Sequence, residues 1–185
     1  MNTIKTKIIP LIVALLCSAS AAYVAPGSTA QAQSKHDLTS KIRKELVTLP
    51  YYDAFDNLAF KIDGSTVTLY GKVLRPTTRS DAERRVARLS GVSRVINNIQ
   101  VLPPSPFDDS IRRDTYRAIY RTGGLYRYLL GANPSIHIIV DHGHVQLEGV
   151  VANRADAQLA YMAASGVPNA FSVTNNLRVQ RGRAY

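Results

Sequence analysis

The sequence has little with which to build cross-links or a catalytic thiol. Of its 185 residues only Cys17 is a cysteine, and none is a tryptophan. Cys17 lies in an N-terminal segment that we expect to be removed, which would leave no thiol for a disulfide, a metal or catalysis. Acidic residues are also few, with 13 Asp and Glu against 23 Lys and Arg and a net charge of +10. Packing alone must therefore hold the fold, and its surface is basic.

The N-terminal segment has the pattern of a secretory signal peptide, which we predict to span residues 1–22. Lys5 and Lys7 precede the apolar run 8–16, and small residues allow cleavage near Ala22. The run is about half of the ~20 residues that a membrane span needs. Removing the two lysines lowers the net charge from +10 to +8. We expect an exported, periplasmic protein whose charge favours anionic membrane surfaces and acidic envelope proteins as partners, and no nucleic acid.

One stretch occurs twice, at a constant offset of 78 residues. Residues 60–73 read FKIDGSTVTLYGKV, and residues 138–151 read IIVDHGHVQLEGVV. The same offset relates residues 95–101 to residues 173–179 without a gap. A chance match would not keep register over about 40 residues, so the pattern indicates a tandem duplication of one small unit.

Apolar and polar residues alternate in each repeated stretch, which predicts two strands with one buried face. A two-residue turn joins them. Gly64-Ser65 suits a type II′ turn, and His142-Gly143 suits a type I′ turn. In each unit a helix precedes the hairpin, and a second helix lies between the hairpin and a third strand. The predicted helix starts are Asp37, Thr78, Asp108 or Asp109, and Asn153.

These elements predict an α+β fold of two tandem αββαβ units, each a small three-stranded mixed sheet with two helices on one face. The Pro-dense residues 103–107 separate the two units. We predict a signal peptide over 1–22, a disordered leader over 23–36, a first unit over 37–102, a Pro-rich linker over 103–107, a second unit over 108–180 and a basic tail over 181–185.

The repeated pattern resembles the BON domain. The resemblance is carried by Phe60-x-Ile62-x-Gly64-x-x-Val67-x-Leu69-x-Gly71-x-Val73, a helix, and Gly91-Val92-x-x-Val95-x-Asn97-Asn98-Ile99-x-Val101. The second copy fits but has Asn169-Ala170 in place of Gly91-Val92. The resemblance implies a non-enzymatic envelope module of the osmotically inducible type, with roles in phospholipid binding and in envelope integrity under osmotic stress. It brings no catalytic residue and no cofactor.

The residues themselves also argue against catalysis. No serine stands in a Gly-x-Ser-x-Gly elbow, and Gly123-Gly124 is not followed by the Lys-Ser/Thr of a phosphate loop. His137, His142 and His144 cluster in sequence, but the predicted hairpin pairs His137 with Glu148, about 10 Å from the turn. We interpret these histidines as polar residues on the solvent face of a hairpin and predict no metal site.

Arginine and tyrosine alternate along the first helix of the second unit. Tyrosine places an apolar body and a polar tip at a water–lipid boundary, and arginine attracts anionic headgroups. The competing interpretation is a core-facing stripe with a solvated basic rim. The alternative function is that of a periplasmic protein–protein adaptor or holdase, which would use exposed strand edges. The candidate lipid-binding residues are Arg112, Arg113, Tyr116, Arg117, Tyr120, Arg121, Leu125, Tyr126, Arg127, Tyr128 and Leu129.

Overall fold

A computed structural model describes residues 27–131 and 133–180. The predicted signal peptide, residues 23–26 of the predicted leader and the basic tail lie outside the described residues.

The first unit folds in the predicted order. Strands β1 and β2 form an antiparallel hairpin, and β2 pairs in parallel with β3, so β2 is the central strand. Both helices of the unit lie on one face of this sheet, where they meet each other. The elements are α1 (Gly27–Val47), β1 (Asn57–Asp63), β2 (Thr66–Val73), α2 (Pro76–Ala87) and β3 (Arg94–Val101).

The second unit repeats this topology with the central strand in the same place. Leu69 pairs with Asn97 in the first sheet, and 78 residues later Leu147 pairs with Asn175. The predicted fold class, two tandem α+β units with three-stranded mixed sheets, is confirmed. The elements are α3 (Pro106–Arg121), a 3₁₀ helix (Leu125–Tyr128), β4 (Ile136–Asp141), β5 (His144–Val151), α4 (Arg154–Ser165) and β6 (Ser172–Val179).

The predicted disordered leader is wrong for residues 27–36, because α1 begins at Gly27. This segment is rich in alanine and glutamine, which have high helix propensity. Asp37 therefore lies inside the helix instead of capping it, and its carboxylate pairs with Lys41 Nζ at 2.6 Å. The predicted core positions of α1 are buried: Leu38, Ile42, Leu46 and Leu49.

Two other predicted helix starts are also displaced. Helix α2 begins at Pro76, whose fixed φ suits the first helical position, so Thr78 lies within the helix and is 1% exposed. Helix α3 begins at Pro106 and is capped by the Ser105 hydroxyl, which accepts the N–H of Asp108 at 3.1 Å. The end of the predicted linker is therefore helical. Helix α4 has the predicted cap, Asn153.

Asp108 stabilises the second hairpin rather than the helix start. Its buried carboxylate accepts the backbone N–H groups of His142 at 3.0 Å and Gly143 at 2.8 Å. Both turn residues have positive φ, 51° and 78°, as a type I′ turn requires.

The units meet through residues 51–56, which we call the docking turn. Its Ala54 carbonyl accepts the N–H of Ile138 in β4 at 2.6 Å. Phe55 packs against the core of the second unit, with its ring centroid 6.1 Å from that of Tyr116. Beside the turn, Lys72 Nζ and Asp141 Oδ2 lie 2.9 Å apart, and this contact lowers the pKa of Asp141.

Candidate functional site

The candidate residues do not form one surface, because the structure divides them between the core and the solvent face of α3. Four are buried: Arg112, Leu125, Tyr128 and Leu129. Tyr116 is partly buried. Six are exposed: Arg113, Arg117, Tyr120, Arg121, Tyr126 and Arg127.

The segment after α3, Leu125 to Leu130, is anchored to the core of the second unit. Gly123 and Gly124 have positive φ and turn the chain, after which the N–H of Leu125 donates to the Thr122 carbonyl at 2.8 Å. Leu125 is 0% exposed and Leu129 is 3% exposed. Both pack against α3 and the sheet. The expectation that these leucines reach a membrane is wrong, because they fill the core instead.

Arg112 supports the fold at the edge of β4. Its Nη2 donates to the Val140 carbonyl at 2.6 Å, and its Nη1 lies 2.5 Å from Asp109 Oδ1. The side chain is 3% exposed, so it is unavailable to a headgroup.

Arg127 is also engaged within the protein. Its Nη2 lies 2.6 Å from Asp156 Oδ2, and its guanidinium lies 4.6 Å from the ring centroid of Tyr128. The Tyr128 hydroxyl donates to the same carboxylate at 2.6 Å and accepts the N–H of Ala152 at 2.9 Å. This network holds the 3₁₀ helix against α4.

A row of aromatic rings runs along the exposed side of α3, and we call it the aromatic row. Its neighbouring ring centroids are separated by 6.1, 6.2 and 6.1 Å. Tyr120 is 43% exposed and Tyr126 is 49% exposed, and Leu130 is 51% exposed. Phe55 comes from the first unit, so no pattern in the second unit predicts its place. The row consists of Phe55, Tyr116, Tyr120 and Tyr126.

Three exposed arginines follow the same helix. Arg113, Arg117 and Arg121 are four residues apart and therefore lie on one face of α3, next to Tyr120. Arg117 pairs with Asp114 at 2.8 Å. Within the described ranges, Arg113 and Arg121 form no ion pair. The arrangement presents positive charge beside exposed aromatic side chains.

A second exposed aromatic patch lies at the hairpin of the second unit. The ring centroids of Phe107 and Phe171 are 5.8 Å apart, and Phe171 is 68% exposed. The shallow cavity beside them measures about 430 Å³, and the described residues that line it include no lysine or arginine. This patch therefore lacks the chemistry that attracts an anionic headgroup.

The histidines differ from the expectation at one position. The register pairs His137 with Glu148 and Asp141 with His144, as predicted. His137, however, is 8% exposed, because the docking turn covers it and Tyr52 packs against its ring. Burial lowers the pKa of His137. Within residues 27–131 and 133–180, no three His, Cys, Asp or Glu side chains form a group able to hold a metal.

None of the helices in the described part of the chain is long and apolar enough to cross a membrane.

Comparison with known proteins identifies the family. No curated protein matches the chain. A solved structure of the C-terminal domain of CdsD, the structural protein of the Type III secretion system of Chlamydia trachomatis, is similar at 12% identity and a TM-score of 0.32, over 78% of this chain and 98% of that one. A second CdsD structure from the same organism gives 12% identity and a TM-score of 0.33, over 80% and 94%. The family model of the BON domain matches residues 34–103 and again residues 108–181. The chain therefore belongs to the BON domain family, with two copies of the domain in tandem.

Proposed function

We propose that the protein is a non-enzymatic envelope module that binds anionic phospholipid surfaces through the exposed face of α3 and thereby supports envelope integrity under osmotic stress. Membership of the BON family indicates an envelope- or phospholipid-associated role. The predicted signal peptide supports an exported, periplasmic location, peripheral on a membrane. The observation that carries the proposal is the aromatic row beside Arg113 and Arg121.

The two kinds of side chain make different contributions to binding. A basic residue near an anionic leaflet gains about 1 kcal/mol, and salt screens this attraction. Tyr126 and Leu130 bury apolar surface in the interface, and this contribution resists salt. Binding is therefore expected to fall with salt without being abolished.

The same face is absent from the first unit. Residues 27–47 of α1 contain no tyrosine, phenylalanine or tryptophan. Its α2 contains basic residues, including Arg84, and is followed by Arg88 at the C-cap, and the helix has no aromatic residue. This difference provides a charge control within the same molecule.

Cosedimentation with vesicles of anionic phospholipid, at low and high salt, tests the proposal. We expect Arg113→Glu with Arg121→Glu to weaken binding at least about tenfold at low salt, because two attractive charges become repulsive. Tyr126→Ser with Leu130→Ser is expected to remove the binding that remains at high salt. Leu129 is left intact because it belongs to the core.

Two controls separate a specific face from general adhesion. Arg84→Glu with Arg88→Glu makes the same charge change at the C-terminal end of α2, and Phe171→Ser removes an exposed aromatic ring that does not belong to the aromatic row. Both are expected to retain binding within about twofold. Equal losses in the two Arg→Glu variants, with circular dichroism showing folded protein, would indicate diffuse electrostatic adhesion and contradict the proposed site, as would equal losses in the two variants that remove apolar surface.

A further inference from the structure

Strand β1 is an edge of the first sheet, and part of its backbone is open. Asp63 and Thr66 close a two-residue turn, so they form a hydrogen-bonded pair. By alternation, Lys61 also directs its N–H and C=O towards β2, whereas Phe60 and Ile62 direct theirs away from it. Across the described ranges, no other backbone segment hydrogen-bonds to Phe60 or Ile62.

The second unit shows these positions occupied. Its equivalents of Phe60 and Ile62, at the offset of 78, are Ile138 and Val140. The N–H of Ile138 donates to the Ala54 carbonyl of the docking turn at 2.6 Å. The Val140 carbonyl accepts Arg112 Nη2 at 2.6 Å. The edge strand of the second unit thus binds a backbone acceptor and a side-chain donor, both from its own chain. The equivalent groups of β1 can bind partners of the same kind.

A groove of about 890 Å³ runs along the open edge. It follows β1 from Asn57 to Ile62, about 17 Å at ~3.3 Å per residue. One wall is a stripe of α1 that includes Thr39, Arg43 and Leu46. The opposite wall comes from the second unit and includes Val150. Its length suits one extended segment of chain.

The charge of the groove is complementary to an acidic partner. Four basic residues line it against one carboxylate, that of Glu148, which leaves an excess of positive charge. Among the described residues none of the four forms an ion pair. Phe60 and Val150 add apolar surface to the groove. The basic residues are Lys35, Arg43, Lys61 and Arg178.

We propose that this groove docks an extended segment of a partner protein with alternating acidic and apolar side chains, which adds to the first sheet as a fourth strand beside β1. The open groups of Phe60 and Ile62 recur at the two-residue spacing of a strand backbone, which a lipid does not offer. Acidic side chains of the segment then face the excess positive charge of the groove, and its apolar side chains contact the apolar surface there. The site follows β1 of the first unit, has a wall from the second unit, and is distinct from the lipid-binding face of α3.

Amide hydrogen exchange by NMR on the full chain tests the proposal. The probe is a synthetic peptide of about ten residues in which glutamate alternates with valine, and the control peptide has lysine in place of glutamate. We expect the glutamate peptide to slow exchange at Phe60 and Ile62 at least about tenfold, because their amides gain partners. Exchange at Lys61, which already bonds to β2, is expected to stay unchanged.

Charge-reversal variants test where the peptide binds on the protein. Arg43→Glu with Lys61→Glu is expected to lower affinity for the glutamate peptide about tenfold, whereas Arg84→Glu with Arg88→Glu leaves it within about twofold. Arg113→Glu with Arg121→Glu is also expected to bind the peptide normally, so the result is independent of the lipid-binding face.

Four outcomes would overturn the inference. One is absence of peptide binding, and another is equal slowing at Lys61 and Ile62. The third is protection of Phe60 and Ile62 that rises with protein concentration alone, which would identify a second copy of the chain as the occupant. The fourth is the same protection produced by anionic vesicles without peptide, which would make the groove a lipid site.

Discussion

At the scale of single residues, burial sets the chemistry of the most unusual carboxylate. Asp56 is 2% exposed and accepts the N–H of Leu74 at 2.7 Å. Burial raises the pKa of Asp56 from its ordinary value of 3.8 to about 6. The carboxylate tethers the start of β1 to the end of β2, although its charge is poorly solvated near neutral pH.

Asp56 makes stability depend on pH. Because its pKa is higher in the folded state, its stabilising contribution is complete below about pH 4 and is lost as pH rises through about 6. Asp56→Asn still offers an acceptor to Leu74 but does not titrate. We expect the free energy of unfolding of this variant, relative to wild type, to rise by about 3 kcal/mol from about pH 4 to about pH 7 in urea titrations. A pH-independent difference would contradict this assignment.

Arg112 shows where the residue pattern stops being informative. It stands four residues before Tyr116 and eight before Tyr120, so the helical period places all three on one line of α3. The period predicts that line but not that a sheet edge lies beneath its first residue. Only the fold shows that the Val140 carbonyl needs a donor there, which makes Arg112 structural and Tyr120 exposed.

At the scale of elements, helix starts show both the success and the failure of capping patterns. Asn153 caps α4 as predicted, with its side chain accepting the N–H of Asp156 at 2.8 Å. The pattern beginning at Thr78 fails because Pro76 can itself occupy the first helical position. In the described part of the chain, the buried Thr78 hydroxyl has no hydrogen-bond partner.

A pair of substitutions tests this assignment of caps. Ser105→Ala is expected to lower the free energy of unfolding by about 1 kcal/mol, because the N–H of Asp108 loses its acceptor. Thr78→Val is expected to leave stability unchanged or to raise it, because a buried hydroxyl without a partner is replaced by a methyl group. Urea unfolding of both variants provides the comparison. A similar loss of unfolding free energy in both variants would instead support Thr78 as the N-cap of α2.

The hairpins and sheets were predictable because their information is local and repeated. Alternation of apolar and polar residues defines the buried face, and the two-residue turns define the register. Both signals occur in each of the two copies, 78 residues apart. The path of Leu125 to Leu130 was not predictable, because an arginine and two tyrosines interrupt its apolar residues. The choice between core and surface there depends on the space that α3 and α4 leave open.

At the scale of the whole molecule, the docking turn joins the units through a small set of contacts. Residues 51–56 show no periodicity, so contact with β4 was not predictable from their pattern. Phe55 contributes apolar surface to the second core, and Ala54 contributes the carbonyl that covers Ile138 N–H.

Phe55→Ala tests the strength of this docking. Loss of the ring removes packing against Tyr116 and the second core, and we expect the free energy of unfolding to fall by about 2 kcal/mol. The Ile138 amide is expected to exchange at least about tenfold faster, whereas the Val145 amide inside the hairpin changes less. Tyr51→Ala, at a residue that is 66% exposed in the same turn, serves as the control. Unchanged exchange at Ile138 would show that the turn docks without Phe55.

The tandem also has a direction. The first unit sends its docking turn forward to cover β4 of the next unit, whereas Leu125, Tyr128 and Leu129, which precede β4, fill the core of their own unit. The contact is thus asymmetric, because the turn of the first unit covers the strand edge of the second. Exchanging the order of the two units in a recombinant gene would place the docking turn after the strand that it covers instead of before it.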